Sequence, residues 1–216
     1  AMSETLNAAT NAIYAPVSTA ESSAYLKFFI NGKVHIAAGC MGNVVASFVK
    51  GKRPVWQYRF IGLYVIPADS AILTPTLTGF QTPLAVNAVN TTPLTYHAYA
   101  AKVSLFELDA GNVVVHRHVP NSEAIRIIDR KTVGSVKFES ELVATKDWYT
   151  AMRAGTTGAL AITHGTVAGN KVAIAAAAMQ FEQADMDEED GIMMESIPFN
   201  CAPSATGNDE FSITCT

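Results

Sequence analysis

The amino-acid sequence predicts an all-β protein, a β-sandwich or barrel, with one short helix on its flank. Apolar and polar residues alternate along many segments, as in 135–143, where Val136 and Phe138 alternate with Lys137 and Glu139. This period of two is typical of strands with one buried face. Clusters of turn-forming residues separate the segments, and only one stretch combines helix start and stop signals. These three observations together predict the fold class.

The predicted strands follow one another closely along the chain. Asn31-Gly32 is a strong hairpin signal, because both residues tolerate positive φ. The strands are predicted at 25–30, 34–38, 44–49, 55–61, 95–108, 113–119, 124–130, 135–143, 159–163, 171–181, 192–199 and 210–216. Residues 3–24 are rich in Ser, Thr, Ala and Asn and are predicted to form a loosely held lead-in.

The single helix is predicted around residues 147–154. Asp147 can cap its start, because a carboxylate accepts hydrogen bonds from the free N–H groups of the first turn. Trp148 and Tyr149 would place an apolar face on the sheet. Gly155 can end the helix in the left-handed conformation that glycine adopts easily.

A long loop is predicted around residues 63–93, where four prolines and many threonines occur. Loops of this length are uncommon in compact domains and are often functional, so this one is a candidate interaction arm. The loop also divides the predicted domains. Residues 1–94 form an N-terminal half-repeat with its long connecting loop, and residues 95–216 form a complete sandwich repeat.

The repeat is indicated by Gly42-Asn43-Val44 and Gly169-Asn170-Lys171-Val172, each of which follows a hairpin and precedes an apolar strand. The first copy lacks the strands that precede the second. We therefore expect 25–61 to dock on the complete repeat or on a neighbouring subunit.

Composition limits the classes of function. Of the 216 residues, 49% are hydrophobic and 16% are charged, which is enough for a core and leaves apolar surface for burial between subunits. The net charge of −4 argues against a protein that grips nucleic acid through phosphate contacts. No apolar run approaches the roughly 18 residues of a membrane helix, so no membrane association is expected. Cys40, Cys201 and Cys215 fit neither a zinc pattern nor a disulfide framework, and are expected to be reduced cytoplasmic thiols.

Two patterns are weak metal-site candidates. His116 and His118 lie two residues apart on a strand and point to the same side, a spacing that can bind zinc or copper. A third ligand is not evident, which favours two histidines on a solvated face. The acidic run 185–190 lacks the Gly at Asp190 and the Glu at Ser196 that an EF-hand requires, which favours a solvated acidic loop.

No catalytic pattern is present, so the chain is not expected to be an enzyme or to need a cofactor. The sequence contains no nucleophile elbow, zinc-protease motif, P-loop or dinucleotide fingerprint. His35, His97 and His164 are isolated and are interpreted as strand-end residues. Asp129 and Arg130 are interpreted as a local ion pair.

A series of segments resembles one family. In the second half the segments are 125–139, 147–148, 154–158, 164–165, 169–170, 187–191 and 206–210, and in the first half they are 39–44, 54–64 and 83–86. As a series, running from about Tyr14 to the C-terminus, they resemble the tail tube (major tail) proteins of bacteriophages and prophages.

The resemblance implies a β-sandwich with one flanking helix and no catalytic residues. It implies copies that stack as rings around a DNA channel, trimeric or hexameric, with sheets of neighbours joined into an inner barrel. Other phage tail proteins would be partners, DNA would pass through without specific binding, and the protein would be made in the bacterial host cytoplasm and reside in the virion tail. Longer members carry an upstream segment that completes the first repeat, so this chain is expected to be a truncated or shorter relative.

The alternative is a surface β-sandwich that binds carbohydrate. Such a module would need an exposed aromatic cluster or a calcium site, and the sequence offers only the acidic run 185–190 for the latter. An enzyme is the third and weakest hypothesis.

Overall fold

A computed structural model describes residues 2–8 and 10–216 and confirms the predicted all-β class. The elements are β1 (Met2–Asn7), β2 (Asn11–Pro16), β3 (Ala24–Ile30), β4 (Lys33–Val49), β5 (Val55–Asp69), β6 (Thr91–Tyr96), β7 (Val103–Asp109), β8 (Asn112–Val119), β9 (Ser122–Arg130), β10 (Val133–Glu139), α1 (Trp148–Ala154), β11 (Thr157–His164), β12 (Val172–Phe181), β13 (Asp185–Glu189), β14 (Ile192–Cys201) and β15 (Ser212–Cys215).

The strands form two layers of one folded antiparallel sheet. One layer has the order β1-β2-β15-β12-β11-β6, and the other contains β13-β14-β10-β7-β4, with β3 and β5 on either side of β4. β12 forms the corner, since Val172–Ala175 pair with β15 whereas Met179–Phe181 pair with β14. β8 and β9 form a separate two-stranded sheet.

The core lies between the two layers. Phe106 on β7 contacts Tyr96 on β6 with ring centroids 6.4 Å apart, and Phe48 on β4 contacts His164 at the end of β11 at 5.9 Å. Each core strand contributes alternate residues, so that Phe106 and Leu108 of β7 are both buried. The period of two in the sequence therefore corresponds to the buried face of each layer.

Helix α1 confirms the prediction for residues 147–154. The backbone N–H of Thr150 donates to Asp147 Oδ1 at 2.8 Å, and Gly155 ends the helix with φ of 62°. Trp148 is 1% exposed and packs on Phe138 and Phe181, with ring centroids 5.2 and 5.3 Å away. The helix thus covers one end of the sandwich through a single large side chain.

The N-terminal lead-in predicted at 3–24 is wrong for most of its length. β1 and β2 form an antiparallel hairpin, and β2 extends the sheet by pairing with β15, where Ile13 lies opposite Thr214. The Ser- and Thr-rich composition predicted a loop. β2 is nevertheless a strand, because its backbone groups pair with those of the C-terminal strand β15.

Three boundaries in the first half also differ from the prediction. The strands predicted at 34–38 and 44–49 are one strand, β4, because Gly39 with φ of 58° lies at a bulge rather than in a turn. β5 continues to Asp69, and β6 begins at Thr91, so the loop predicted at 63–93 spans only 70–90. The strand predicted at 95–108 is interrupted between Tyr96 and Val103.

The predicted hairpin turn at Asn31-Gly32 is confirmed, with φ values of 46° and 74°. The acidic run 185–190 is not a loop, since β13 pairs with β14 and places Asp187 opposite Met194. Four of the five residues of β13 are acidic, and charge along an edge strand opposes further pairing.

Candidate interaction surface

A three-stranded arm extends from the sandwich; it consists of β3, residues 33–38 of β4 and residues 63–69 of β5. β5 pairs with one edge of β4. β3 and β7 pair with different parts of the other edge of β4. Within β4, the residues that pair with β7 are Val45–Val49. The first half of β4 is therefore supported by β3 and β5 alone, and none of the arm residues is buried.

Apolar side chains lie on both faces of the arm. Leu26, Ala37 and Tyr64 align across the three strands on one face. The row Lys27, Ile36 and Val65 lies next to it on the opposite face. The large exposed apolar side chains of the arm are Tyr25, Phe28, Phe29, Ile30, Tyr64 and Ile66. An antiparallel sheet with one solvated face usually carries polar residues on that face, and the arm departs from this pattern on both faces.

Both outer strands of the arm are edge strands. Within 2–8 and 10–216, β3 and β5 each pair only with β4. β5 is 15 residues long, and its free side exposes a row of unpaired N–H and C=O groups. Long apolar edges of this kind readily pair with another strand.

The 70–83 loop leaves the tip of the arm and is uncharged throughout. Its start is held by Ser70, whose N–H donates to Gly32 O at 2.9 Å, and its path ends where the N–H of Val86 donates to Lys52 O at 2.9 Å. Between these anchors every residue from 71 to 83 is exposed. The loop carries four large apolar side chains, Ile72, Leu73, Leu77 and Phe80, which are 58–80% exposed.

An apolar seam separates β5 from the strands that carry the two ends of the chain. Its cavity measures about 410 Å³ and is lined by side chains that include Met2, Tyr14, Trp56, Tyr58 and Cys215. A second cavity of about 200 Å³ continues it past Phe60. Neither cavity is lined by a charged residue.

The titratable groups of the seam reflect its apolar character. Burial raises the pKa of Tyr58 and of Cys215. The pKa of Tyr14 is raised chiefly by its hydrogen bond to Glu4, to whose Oε1 the hydroxyl donates at 2.6 Å. These groups stay neutral near neutral pH, so the seam favours a neutral, apolar occupant.

The predicted metal candidates are not among the residues that line the two cavities. His116 and His118 share one face of β8, with ring centroids 5.9 Å apart, and His116 Nε2 is 2.9 Å from Glu123 Oε1. No group of three His, Cys, Asp or Glu side chains suited to a metal ion occurs among the described residues.

The acidic run forms ion pairs with Lys137 on β10 and with Lys50 in the turn after β4. Lys137 pairs with Asp187, and Lys50 pairs with Glu189 and Asp190. The Lys137 ammonium holds the pKa of Asp187 below its usual value, and Lys50 does the same for Glu189. These carboxylates stabilise a strand edge.

The isolated histidines and the three cysteines lie in different environments. His97 stacks on Phe181 and His164 Nδ1 is 2.8 Å from Thr91 Oγ1, whereas His35 is exposed on the arm. All three cysteines are free thiols, and burial raises the pKa of Cys201 to about 12. The predicted ion pair of Asp129 with Arg130 is wrong, because Arg130 pairs with Glu210.

The seam was not predictable from the sequence, because its walls come from both ends of the chain and from β5. The exposed apolar residues of the 70–83 loop could have indicated a contact, but not its location. Among the helices in the described part of the chain, none has the length and apolarity to cross a membrane. A scan against protein-family models and a search of curated proteins found no match to this chain.

Proposed function

We propose that this protein is a structural subunit that assembles with copies of itself into the rings of a phage or prophage tail tube, around a channel for DNA. The observation that carries the proposal is the arm, which has two free edges and apolar side chains on both faces. Copies that pair edge to edge through such arms form a continuous sheet, which is what a tube wall requires.

The extent of exposed apolar surface supports self-assembly. The arm and the 70–83 loop together expose ten large apolar side chains, Tyr25, Phe28, Phe29, Ile30, Tyr64, Ile66, Ile72, Leu73, Leu77 and Phe80. Monomeric proteins rarely expose contiguous apolar patches of more than a few hundred Å². A subunit that is buried on several sides in an assembly accounts for this surface.

The charge is compatible with a conduit that does not retain DNA. The net charge is −4, and a negative net charge does not favour the retention of a polyanion. In this role the protein would reside in the virion tail, be made in the host cytoplasm, and contact other tail proteins at the tube ends.

A carbohydrate-binding module is the second candidate, and one observation favours it. Tyr58 and Phe60 stack with ring centroids 6.0 Å apart and planes inclined by 10°, and they are 63% and 42% exposed. Flat aromatic platforms can stack on sugar rings. The same two side chains also border the seam, so their exposure is equally explained by a missing neighbour.

Negative-stain electron microscopy with light scattering at micromolar concentration tests the proposal. We expect rings or tubes with a central channel, and a scattering mass several times that of one chain. A strict monomer over this range contradicts the proposal.

Titration of the protein with soluble oligosaccharides, monitored by tryptophan fluorescence, tests the alternative. The carbohydrate module is supported if the oligosaccharide quenches the fluorescence of a monomeric protein saturably and if Tyr58→Ala abolishes this quenching.

A further inference from the structure

We infer that the apolar seam is the docking site for the 70–83 loop of a second copy of this chain. The inference rests on the proposed self-assembly and adds to it the two surfaces that meet. One copy supplies Leu77, Phe80 and the neighbouring apolar side chains, and the next copy supplies the walls of the seam.

The large apolar side chains of the loop are exposed rather than packed into the core of their own chain. Leu77 and Phe80 are 64% and 79% exposed, and they are joined only by a local turn in which Phe80 N–H donates to Leu77 O at 3.2 Å. No residue of 70–83 lines the seam of its own chain. Because both ends of the loop are tied to the arm and to Lys52, the loop presents these side chains outward.

The seam is matched to such an occupant in size and polarity. A cavity of about 410 Å³ falls within the range of roughly 300–1,000 Å³ typical of sites that enclose apolar ligands. Its walls are neutral, and the loop is neutral, so contact between them buries no unpaired charge. The 200 Å³ extension past Phe60 gives room for a second side chain beside the first.

The loop and the seam are different surfaces, so each copy donates one loop and accepts one loop. Reciprocal exchange between two copies would give an isologous dimer. When each copy instead donates its loop to the next copy in line, the contact is head-to-tail and generates a closed ring or a helical filament. This agrees with a tube and gives the loop contact a role separate from edge pairing by the arm.

Cysteine trapping tests the contact directly, because Cys215 lines the seam and supplies one native thiol. We expect Leu77→Cys or Phe80→Cys to form an intermolecular disulfide with Cys215 under mild oxidation, since a bridge forms where the two Cα atoms approach within about 7 Å. The matched control carries Cys215→Ser in addition and should yield no such bridge. Absence of Cys215-dependent bridging in both single variants overturns the inference.

Assembly of loop variants gives the second test. The double variant Leu77→Asp with Phe80→Asp should raise the concentration needed for half-maximal assembly by roughly tenfold or more, because the charges would have to enter an apolar site. Ile128→Asp, at an exposed apolar residue of β9, is the control and should leave assembly unchanged. If the wild-type protein assembles and the double variant assembles equally well, the inference is wrong and the tube proposal stands. If the wild-type protein never assembles and neither Leu77→Cys nor Phe80→Cys forms the bridge to Cys215, both are wrong.

Discussion

Arg130 and Glu210, 80 residues apart in the chain, form an almost buried ion pair. Arg130 Nη2 lies 2.8 Å from Glu210 Oε1, and both side chains are 10% exposed. The guanidinium also donates to Val17 O at 3.1 Å and to Asn208 Oδ1 at 3.0 Å. One side chain thereby links β9, the segment after β2 and the segment before β15.

We expect Arg130→Met to destabilise the fold by about 3–5 kcal/mol, because it leaves the Glu210 carboxylate buried without its partner. Replacing both residues, Arg130→Met with Glu210→Leu, should cost less than the single change. Urea unfolding measures both. Glu210→Leu alone completes the cycle, and a loss in the double variant equal to the sum of the two single losses would show that the pair is not coupled.

Trp148 is expected to be the dominant contribution of helix α1 to stability. Trp148→Ala removes a side chain that is 1% exposed and should cost about 3–5 kcal/mol. Tyr149→Ala on the same helix is the control, since Tyr149 is 41% exposed and should lose far less. Thermal or urea unfolding distinguishes them. An unchanged transition in soluble Trp148→Ala would mean that the helix is peripheral.

Stability should fall as the pH drops below about 6.5. Burial lowers the pKa of His97 and of His164 from the ordinary value of 6.5. Below pH 6.5 the native state therefore binds fewer protons than the unfolded state. The contribution of these histidines to the free energy of unfolding is complete above pH 6.5 and is lost as the pH falls through their lowered pKa values. Asp187 and Glu189, with lowered pKa values, titrate only at more acidic pH.

Thermal melts at about pH 7.5 and about pH 5.5 measure this effect, with a lower midpoint expected at the acidic pH. The variant His97→Gln with His164→Gln should show a smaller difference between the two pH values. The same difference in the variant would assign the acid sensitivity to other groups.

Assembly should depend on the apolar character of the arm. Tyr64 is 79% exposed, so Tyr64→Lys should change the unfolding free energy of the monomer by no more than about 0.5 kcal/mol. The added charge at an edge strand should nevertheless weaken assembly. Light scattering measures the extent of assembly of Tyr64→Lys and of the control Ile128→Lys, at a comparably exposed site outside the arm. An equal effect of both variants would argue against the arm as an assembly surface.

Metal ions are expected to leave the stability unchanged. His116 is paired with Glu123, and the carboxylates of β13 are paired with lysines. Melts with EDTA, zinc and calcium measure this, because a ligand that binds the native state raises the midpoint. A rise of several degrees at micromolar metal would contradict the expectation.

Local features were predictable from the sequence because short segments determine them. Asp147 and Gly155 flank the helix, and the side chain of one and the backbone freedom of the other act within a single turn. Asn31-Gly32 likewise forms a turn without help from the rest of the chain. The burial of alternate residues in β7 and β10 also follows directly from the period of two.

Features that depend on distant partners were not predictable. The acidic segment 185–189 pairs with β14 through the local turn at Asp190 and Gly191, but the cations that neutralise it, Lys50 and Lys137, come from distant parts of the chain. The N-terminal hairpin is ordered by β15, almost 200 residues later in the chain. Arg130 forms its ion pair with Glu210 rather than with its neighbour Asp129, because the fold brings the distant Glu210 next to the guanidinium.

The sequence by itself determined the fold class, the helix and the faces of most strands, because backbone preferences and the two-residue period are local properties. The tertiary structure alone decided which strands stand next to each other, and so created the arm and the seam. Met2, Tyr58 and Cys215 meet in one cavity only after the sheet has folded over. Periodicity specifies which side of a strand is buried, whereas the identity of its neighbour depends on contacts between residues far apart in the chain.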